Sequence, residues 1–153
     1  MVPAPAVEPA TGWPGVWNVP PAITGNVSRP ALLARLRELL ATGPVALWGI
    51  GGVGKTRLAV EYAHHFARDY ELVWWFDAEV PDLLGEQCAS LASHAGATGA
   101  GAAVSVAGEA ARRHLRVGCS KPWLLIFDNA TDPERLRGWL PDGRGHILVT
   151  SRC

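Results

Sequence analysis

The sequence lacks the cysteine patterns and the signal peptide that are typical of secreted proteins and of small zinc-binding domains. Its three cysteines stand too far apart among the 153 residues to form a CxxC pair, which argues against a zinc site and against a disulfide framework. The odd count is typical of a reducing compartment, so we expect a cytoplasmic protein. The first basic residue is Arg29, and prolines interrupt every apolar stretch before it. The N-terminus therefore does not resemble a signal peptide.

The chain also lacks net charge and long apolar runs. Its 14 Lys and Arg residues balance its 14 Asp and Glu residues. A neutral chain has no broad positive field for nucleic acid and no polybasic patch for a membrane surface. No apolar run approaches the roughly 20 residues that a transmembrane helix needs. We therefore expect neither nucleic acid nor a membrane as a partner.

The sequence does contain enough apolar material for one folded domain behind a proline-rich arm. Hydrophobic residues make up 48% and charged residues 18% of the chain, which excludes a wholly disordered protein. Six prolines fall within residues 1–25 and predict an extended arm, whose Trp13 and Trp17 we expect to dock on the domain itself. Residues 26–153 form the predicted domain, in which the Gly/Ala-rich stretch 95–108 predicts a flexible loop.

Apolar patterns within residues 26–153 alternate between strand and helix. The segments 72–76 and 123–127 are apolar at every position, which is typical of parallel strands buried on both faces. The alternation predicts an α/β fold, a parallel sheet of about four strands in a three-layer α/β/α arrangement. The predicted strands are 45–48, 72–76, 123–127 and 146–149. The first predicted helix has Ser28 as its N-cap and ends at Thr42-Gly43-Pro44. Four further predicted helices span 55–68, 82–94, 109–117 and 132–140.

The strongest chemical signal is Gly49-Ile50-Gly51-Gly52-Val53-Gly54-Lys55-Thr56, which matches G-x-x-x-x-G-K-[ST] between a predicted strand and a predicted helix. The glycines let backbone N–H groups wrap a phosphate, and the helix N-terminus favours its charge. Lys55 offers a positive charge to the β- and γ-phosphates, and Thr56 offers a hydroxyl to Mg²⁺. The alternative is an ordinary glycine-rich turn. The candidate nucleotide-binding residues here are Gly49, Gly51, Gly52, Val53, Gly54, Lys55, Thr56 and Arg57.

Two further signals stand at strand ends. Asp128 follows an apolar strand, where a carboxylate can hold Mg²⁺ beside a triphosphate, or else cap a turn. The next residue, Asn129, is a poor general base and predicts slow hydrolysis, while Asp77 and Asp132 are expected to be loop or cap residues. Arg152 follows the last strand and can reach a γ-phosphate, or else lie on the surface. The candidate catalytic residues are Lys55, Asp128 and Arg152, and the candidate Mg²⁺ ligands are Thr56 and Asp128.

The order of these motifs resembles a known family. GIGGVGKT, WWFDAE, LLIFDN and ILVTSR are together similar to the NB-ARC class of STAND P-loop ATPases, closest to actinobacterial members that carry tetratricopeptide repeats. The resemblance covers nearly all of residues 17–152. It implies an ADP/ATP-binding signalling switch with slow, Mg²⁺-dependent ATP hydrolysis. It also implies that the backbone of Val27 contacts adenine, that Arg29 helps hold the nucleotide, and that Arg152 is the sensor-1 arginine.

The resemblance further implies that strand 146–149 lies between 45–48 and 123–127. Strand 45–48 is then an exposed edge, open to self-association or to a protein partner. Family members continue into helical and winged-helix subdomains, whereas this sequence ends at Cys153. From this we expect weak nucleotide affinity and slow turnover. The alternative is a truncated, non-catalytic module that binds nucleotide or protein.

Overall fold

A computed structural model of the chain describes residues 12–22, 29–49, 53–99 and 101–151. Within these ranges a five-stranded parallel sheet is flanked by helices, which confirms the predicted α/β class. None of the helices in these ranges combines the length and apolarity that a membrane span requires. The strands are β1 (Val16–Trp17), β2 (Val45–Leu47), β3 (Leu72–Asp77), β4 (Trp123–Ala130) and β5 (Gly145–Ser151). The helices are α1 (Pro30–Leu40), α2 (Val53–His65), α3 (Leu84–His94), α4 (Val104–Arg113) and α5 (Pro133–Leu136), with a π-helical turn at His114–Gly118.

The strands lie in the order β1-β3-β4-β5-β2. The last strand, β5, pairs with β4 on one side and with β2 on the other, as the resemblance implies. The strand before the glycine-rich segment, β2, is therefore at an edge of the sheet. Because all five strands are parallel, their carboxyl ends meet at one edge of the sheet and their amino ends at the opposite one.

Alternating side chains of the sheet enter two separate cores. On one face Trp74 and Phe127 pack with α3 and α4, and on the other Ile126 packs with α1 and α2. The rings of Phe76 and Phe127 stack with their centroids 4.5 Å apart. The prediction that the runs 72–76 and 123–127 are buried on both faces is confirmed, and it explains why neither run alternates with polar residues.

The fifth strand comes from the proline-rich arm, so the sheet has one strand more than the predicted four. Val16 and Trp17 of β1 pair with the first residues of β3. The Asn18 side chain then continues the ladder, since its amide donates to the Trp75 carbonyl and its oxygen accepts from the Trp75 N–H. The described part of the arm, residues 12–22, therefore docks on the domain itself, as expected. Two residues are too short a run to show strand alternation, which is why the sequence pattern missed β1.

Two element boundaries also differ from the predictions. The helix α1 has Arg29 as its N-cap, while the predicted cap, Ser28, lies outside the described residues. The helix α4 begins at Val104, so the end of the predicted loop 95–108 is helical. Its buried Ala107 and Ala111 are four residues apart and lie on one face. Small apolar residues at this spacing pack closely in a helix without the polar periodicity that marks a helix in sequence.

A chain of three polar rings joins α2, β3 and β5. The Tyr62 and Tyr70 hydroxyls are 2.7 Å apart, and the Tyr70 hydroxyl lies 2.6 Å from Nδ1 of His146. Burial raises the pKa of both tyrosines, so both stay protonated. Burial, and then the nearby Arg37, lower the pKa of His146. A neutral His146 can accept a hydrogen bond from the Tyr70 hydroxyl at Nδ1, and this favours the folded arrangement.

We expect His146 to make the stability of the fold depend on pH. Its folded pKa is below the unfolded value of about 6.5, so the unfolded chain binds a proton first as the pH falls. The free energy of unfolding should therefore decrease between about pH 7.5 and 5.5. Urea unfolding of His146→Gln, which keeps an acceptor but does not titrate, should show a smaller decrease. The matched change His65→Gln, at an exposed position, should keep the wild-type pH dependence, and equal curves for both variants would contradict the assignment.

Candidate functional site

The carboxyl edge of the sheet brings together a side chain of α2, which follows β2, and side chains from the last residues of β4 and β5. The Thr56 hydroxyl, in the first turns of α2, donates to Oδ1 of Asp128 over 2.8 Å. The Thr150 hydroxyl of β5 donates to the same oxygen over 2.7 Å. Two of the predicted site residues, Thr56 and Asp128, are thus in direct contact although 72 positions separate them in sequence. The two hydroxyls fix the orientation of the carboxylate.

Thr150 is the member of this cluster that the sequence patterns did not single out. It is only 2% exposed, and its hydroxyl oxygen also accepts a hydrogen bond from the Asn129 N–H over 2.8 Å. Asn129 itself has φ = +63°, a left-handed conformation that asparagine adopts more readily than most residues. The signal available in sequence was a hydroxyl residue at the end of an apolar strand next to the Asp128 strand.

The glycine-rich segment is described at its two ends. Gly49 has φ = +148°, a conformation that glycine adopts without steric cost. Its carbonyl accepts a hydrogen bond from Nζ of Lys55 over 3.0 Å, so the ammonium group reaches back across the loop. Val53 and Gly54 are the first residues of α2, and the half-buried Arg57 follows on the same helix. Gly51 and Gly52 lie outside the described residues.

The residues assigned through the resemblance are only partly described. Arg29 forms an ion pair with Glu61 of α2, with 3.0 Å between the guanidinium and Oε1. This contact connects the start of α1 to the helix that carries Lys55 and Thr56. Val27 and Arg152 lie outside the described residues.

Two other aspartates near this edge make local turn contacts, as expected for loop and cap residues. Oδ1 of Asp132 accepts from the Glu134 N–H and caps α5. Oδ1 of Asp77 accepts from the Glu79 N–H at the end of β3. The Gln87 side chain exchanges two hydrogen bonds with the backbone of Asp77. Neither aspartate therefore joins the contact between Thr56 and Asp128.

We expect loss of the Thr150 hydroxyl to destabilise the protein. In Thr150→Val the half-buried Asn129 N–H loses its acceptor and the Asp128 carboxylate loses a donor, so the free energy of unfolding should fall by about 1.5–3 kcal/mol. Thr131→Val is the matched control, because the Thr131 side chain is exposed and such changes usually stay within about 0.5 kcal/mol. Urea unfolding measures both variants, and equal losses would contradict the role given to Thr150.

The donor atoms at this edge suit a hard divalent cation next to an anion. A hydroxyl oxygen and a carboxylate oxygen are ligands that Mg²⁺ accepts, and Mg²⁺ normally completes its shell with water and phosphate oxygens. The ammonium group of Lys55 and the N-terminus of α2 add positive potential at the same edge. Neither a scan against protein-family models nor a search of curated proteins found a match to this chain.

Proposed function

We propose that the chain is an adenine-nucleotide-binding switch domain of the NB-ARC type, with slow, Mg²⁺-dependent ATP hydrolysis. The observation that supports the proposal best is the 2.8 Å contact between the Thr56 hydroxyl and the Asp128 carboxylate. The sequence motif and the strand end were identified separately, and the fold brings them together at the carboxyl edge of a parallel sheet. Ligands of open parallel sheets generally bind at this edge.

In this proposal each residue at the edge has a distinct role. Thr56 and Asp128 hold Mg²⁺, which neutralises charge on the phosphates when it is bound. Lys55 exchanges its contact with the Gly49 carbonyl for a contact with the β- and γ-phosphates. Thr150 positions Asp128 through the bond to Oδ1 and does not itself touch the nucleotide. Backbone N–H groups of the glycine-rich loop, including Gly51 and Gly52, complete the phosphate site.

The slow rate in the proposal follows from the residue after Asp128. A carboxylate at this position can accept a proton from the attacking water, whereas the carboxamide of Asn129 cannot act as a general base near neutral pH. The Thr150 hydroxyl binds the Asn129 N–H and holds the backbone in its left-handed conformation. We therefore propose turnover below about 1 s⁻¹, the low end of ordinary enzymes. The proposed preference for adenine rests on the resemblance, through the backbone of Val27, as do the proposed roles of Arg29 in holding the nucleotide and of Arg152 as the sensor-1 arginine. The proposed cytoplasmic location rests on the odd number of cysteines.

Nucleotide binding should depend on Lys55. Titration of the full chain with fluorescent ADP and ATP, with and without Mg²⁺, should give saturable binding that Lys55→Ala weakens about 10- to 100-fold, because a charge-assisted contact of about 1.5–3 kcal/mol is lost. Lys121→Ala is the matched control, since Lys121 lies just before β4, at the amino ends of the strands and away from Lys55. No binding by the folded chain, or equal effects of both variants, would overturn the proposal.

A second candidate function is self-association through β2. Within the described residues β2 pairs on one side only, with β5, and the Trp48 side chain that follows it is 62% exposed. An open strand edge next to a large exposed ring can pair with the same edge of a second copy. This candidate would describe a binding module that needs no hydrolysis.

If β2 is the association surface, the chain should form a concentration-dependent dimer. Trp48→Lys should abolish the dimer, because a charge at an open edge opposes pairing. The equivalent change Trp13→Lys, at a ring that is 39% exposed near the other edge, should leave the dimer intact. Sedimentation velocity over a range of concentrations measures both, and a monomer at every concentration would exclude this candidate.

A further inference from the structure

A second polar cluster lies away from the phosphate-binding edge, near the amino ends of β3 and β4. It consists of Glu71, His114 and Cys119, each with a half-buried side chain and one potential ligand atom. The carboxylate oxygen, the imidazole nitrogen and the sulfur all lie within 4.8 Å of one another. We propose that these three residues form a zinc-binding site, with water as the fourth ligand.

The ligand chemistry favours zinc over magnesium or calcium. Thiolate and imidazole are soft or borderline ligands that bind Zn²⁺ well, whereas Mg²⁺ and Ca²⁺ take oxygen ligands. One thiolate and one carboxylate also balance the two charges of the ion. Zinc ligands in a tetrahedron stand about 3.5 Å apart, given metal–ligand distances of about 2.0–2.3 Å, so the three side chains need to close by roughly 1 Å.

His114 begins the π-helical turn His114–Gly118, and Cys119 follows the turn with an extended backbone (φ −106°, ψ 129°). Residues five apart in an α-helix point about 140° away from each other around the axis. Because the chain leaves the helix between His114 and Cys119, this separation does not apply to them, and their ligand atoms lie within 4.8 Å of each other. Such turns often occur at functional sites.

The turn is held in place by contacts on both sides. The indole N–H of Trp123 donates to the buried Leu115 carbonyl over 2.7 Å. Oε1 of Glu71 accepts from the N–H and hydroxyl of Ser120 and from the Lys121 N–H over 2.8–3.1 Å. These bonds orient the Glu71 carboxylate against the segment that carries Cys119. A site supported by such contacts loses little conformational freedom when a metal binds.

Gly118 leaves space for the imidazole. A Cβ atom at this position would lie 2.7 Å from Nδ1 of His114 and 3.2 Å from Cε1, so any other residue displaces the ring. Burial and the adjacent Glu71 carboxylate favour the protonated thiol of Cys119 and raise its pKa to about 11. Zinc takes the place of this proton between the sulfur and the carboxylate. The argument against zinc from the missing CxxC pair does not apply to this site, since its ligands come from two segments, one with Glu71 and the other with His114 and Cys119.

Zinc titration of the untagged, chelator-treated full chain tests the proposal. Calorimetry and competition with a chromophoric chelator should show one Zn²⁺ per chain. Cys119→Ser and His114→Ala should each weaken binding by at least about tenfold. The matched controls Cys88→Ala and His94→Ala alter a core cysteine and an exposed histidine and should keep the wild-type affinity. Co²⁺ should give a thiolate charge-transfer band that disappears only in the Cys119 variant.

A glycine pair separates ligand placement from general destabilisation. Gly118→Ala should displace the His114 ring and weaken zinc binding about tenfold, as changes around metal ligands do. Gly138→Ala should have no effect, because a Cβ there meets nothing within 4 Å. Circular dichroism confirms that each variant is folded. Absence of stoichiometric binding by the wild type, or wild-type affinity in either ligand variant, would overturn the proposal.

Discussion

A parallel sheet that is covered on both faces can place polar chemistry only at the ends of its strands. In this chain the central strand β4 is buried along Trp123–Phe127 and becomes polar only at Asp128. Helices occupy both faces, so solvent and ligands reach the interior of the sheet from its two ends. The clusters around Asp128 and around Glu71 are consequences of this constraint, one at each end of the strands.

The two ends differ in chemistry because different connections meet there. At the carboxyl end, hydroxyl and carboxylate oxygens converge on Asp128, next to the ammonium group of Lys55. These groups suit phosphates and a hard cation. At the amino end, a thiol, an imidazole and a carboxylate converge around Cys119, and they suit a softer metal. One sheet thus separates a proposed nucleotide site from a proposed zinc site.

The sequence predicted the buried part of the fold well, because burial on both faces leaves a continuous apolar run. The strands around Trp74 and Leu125 and the approximate extent of α2 follow directly from such patterns. The motif spacing also predicted that Thr56 and Asp128 share one edge. The pairing of Thr150 with Asp128, and the meeting of His114 with Glu71, depend on strand register and on a π-helical turn. Neither contact produces a periodic pattern of apolar residues, so neither could be predicted from the sequence.

The Asn18 side chain extends the hydrogen-bonded pairing of β1 with β3 by one more position. Its carboxamide has the donor and the acceptor of a peptide group, and it serves at a point where Pro20 and Pro21 can provide no N–H. β1 is held by two register pairs, by the Gly15 N–H that donates to the Glu71 carbonyl, by the Asn18 side chain and by the contact of Trp17 with His64. These contacts are fewer than those between β3 and β4, so we expect local opening of β1 to cost less free energy than global unfolding. The outward N–H groups of β3 can then exchange with solvent while the bonds from β3 to β4 stay closed. Release of β1 would give the sheet a second open edge opposite β2.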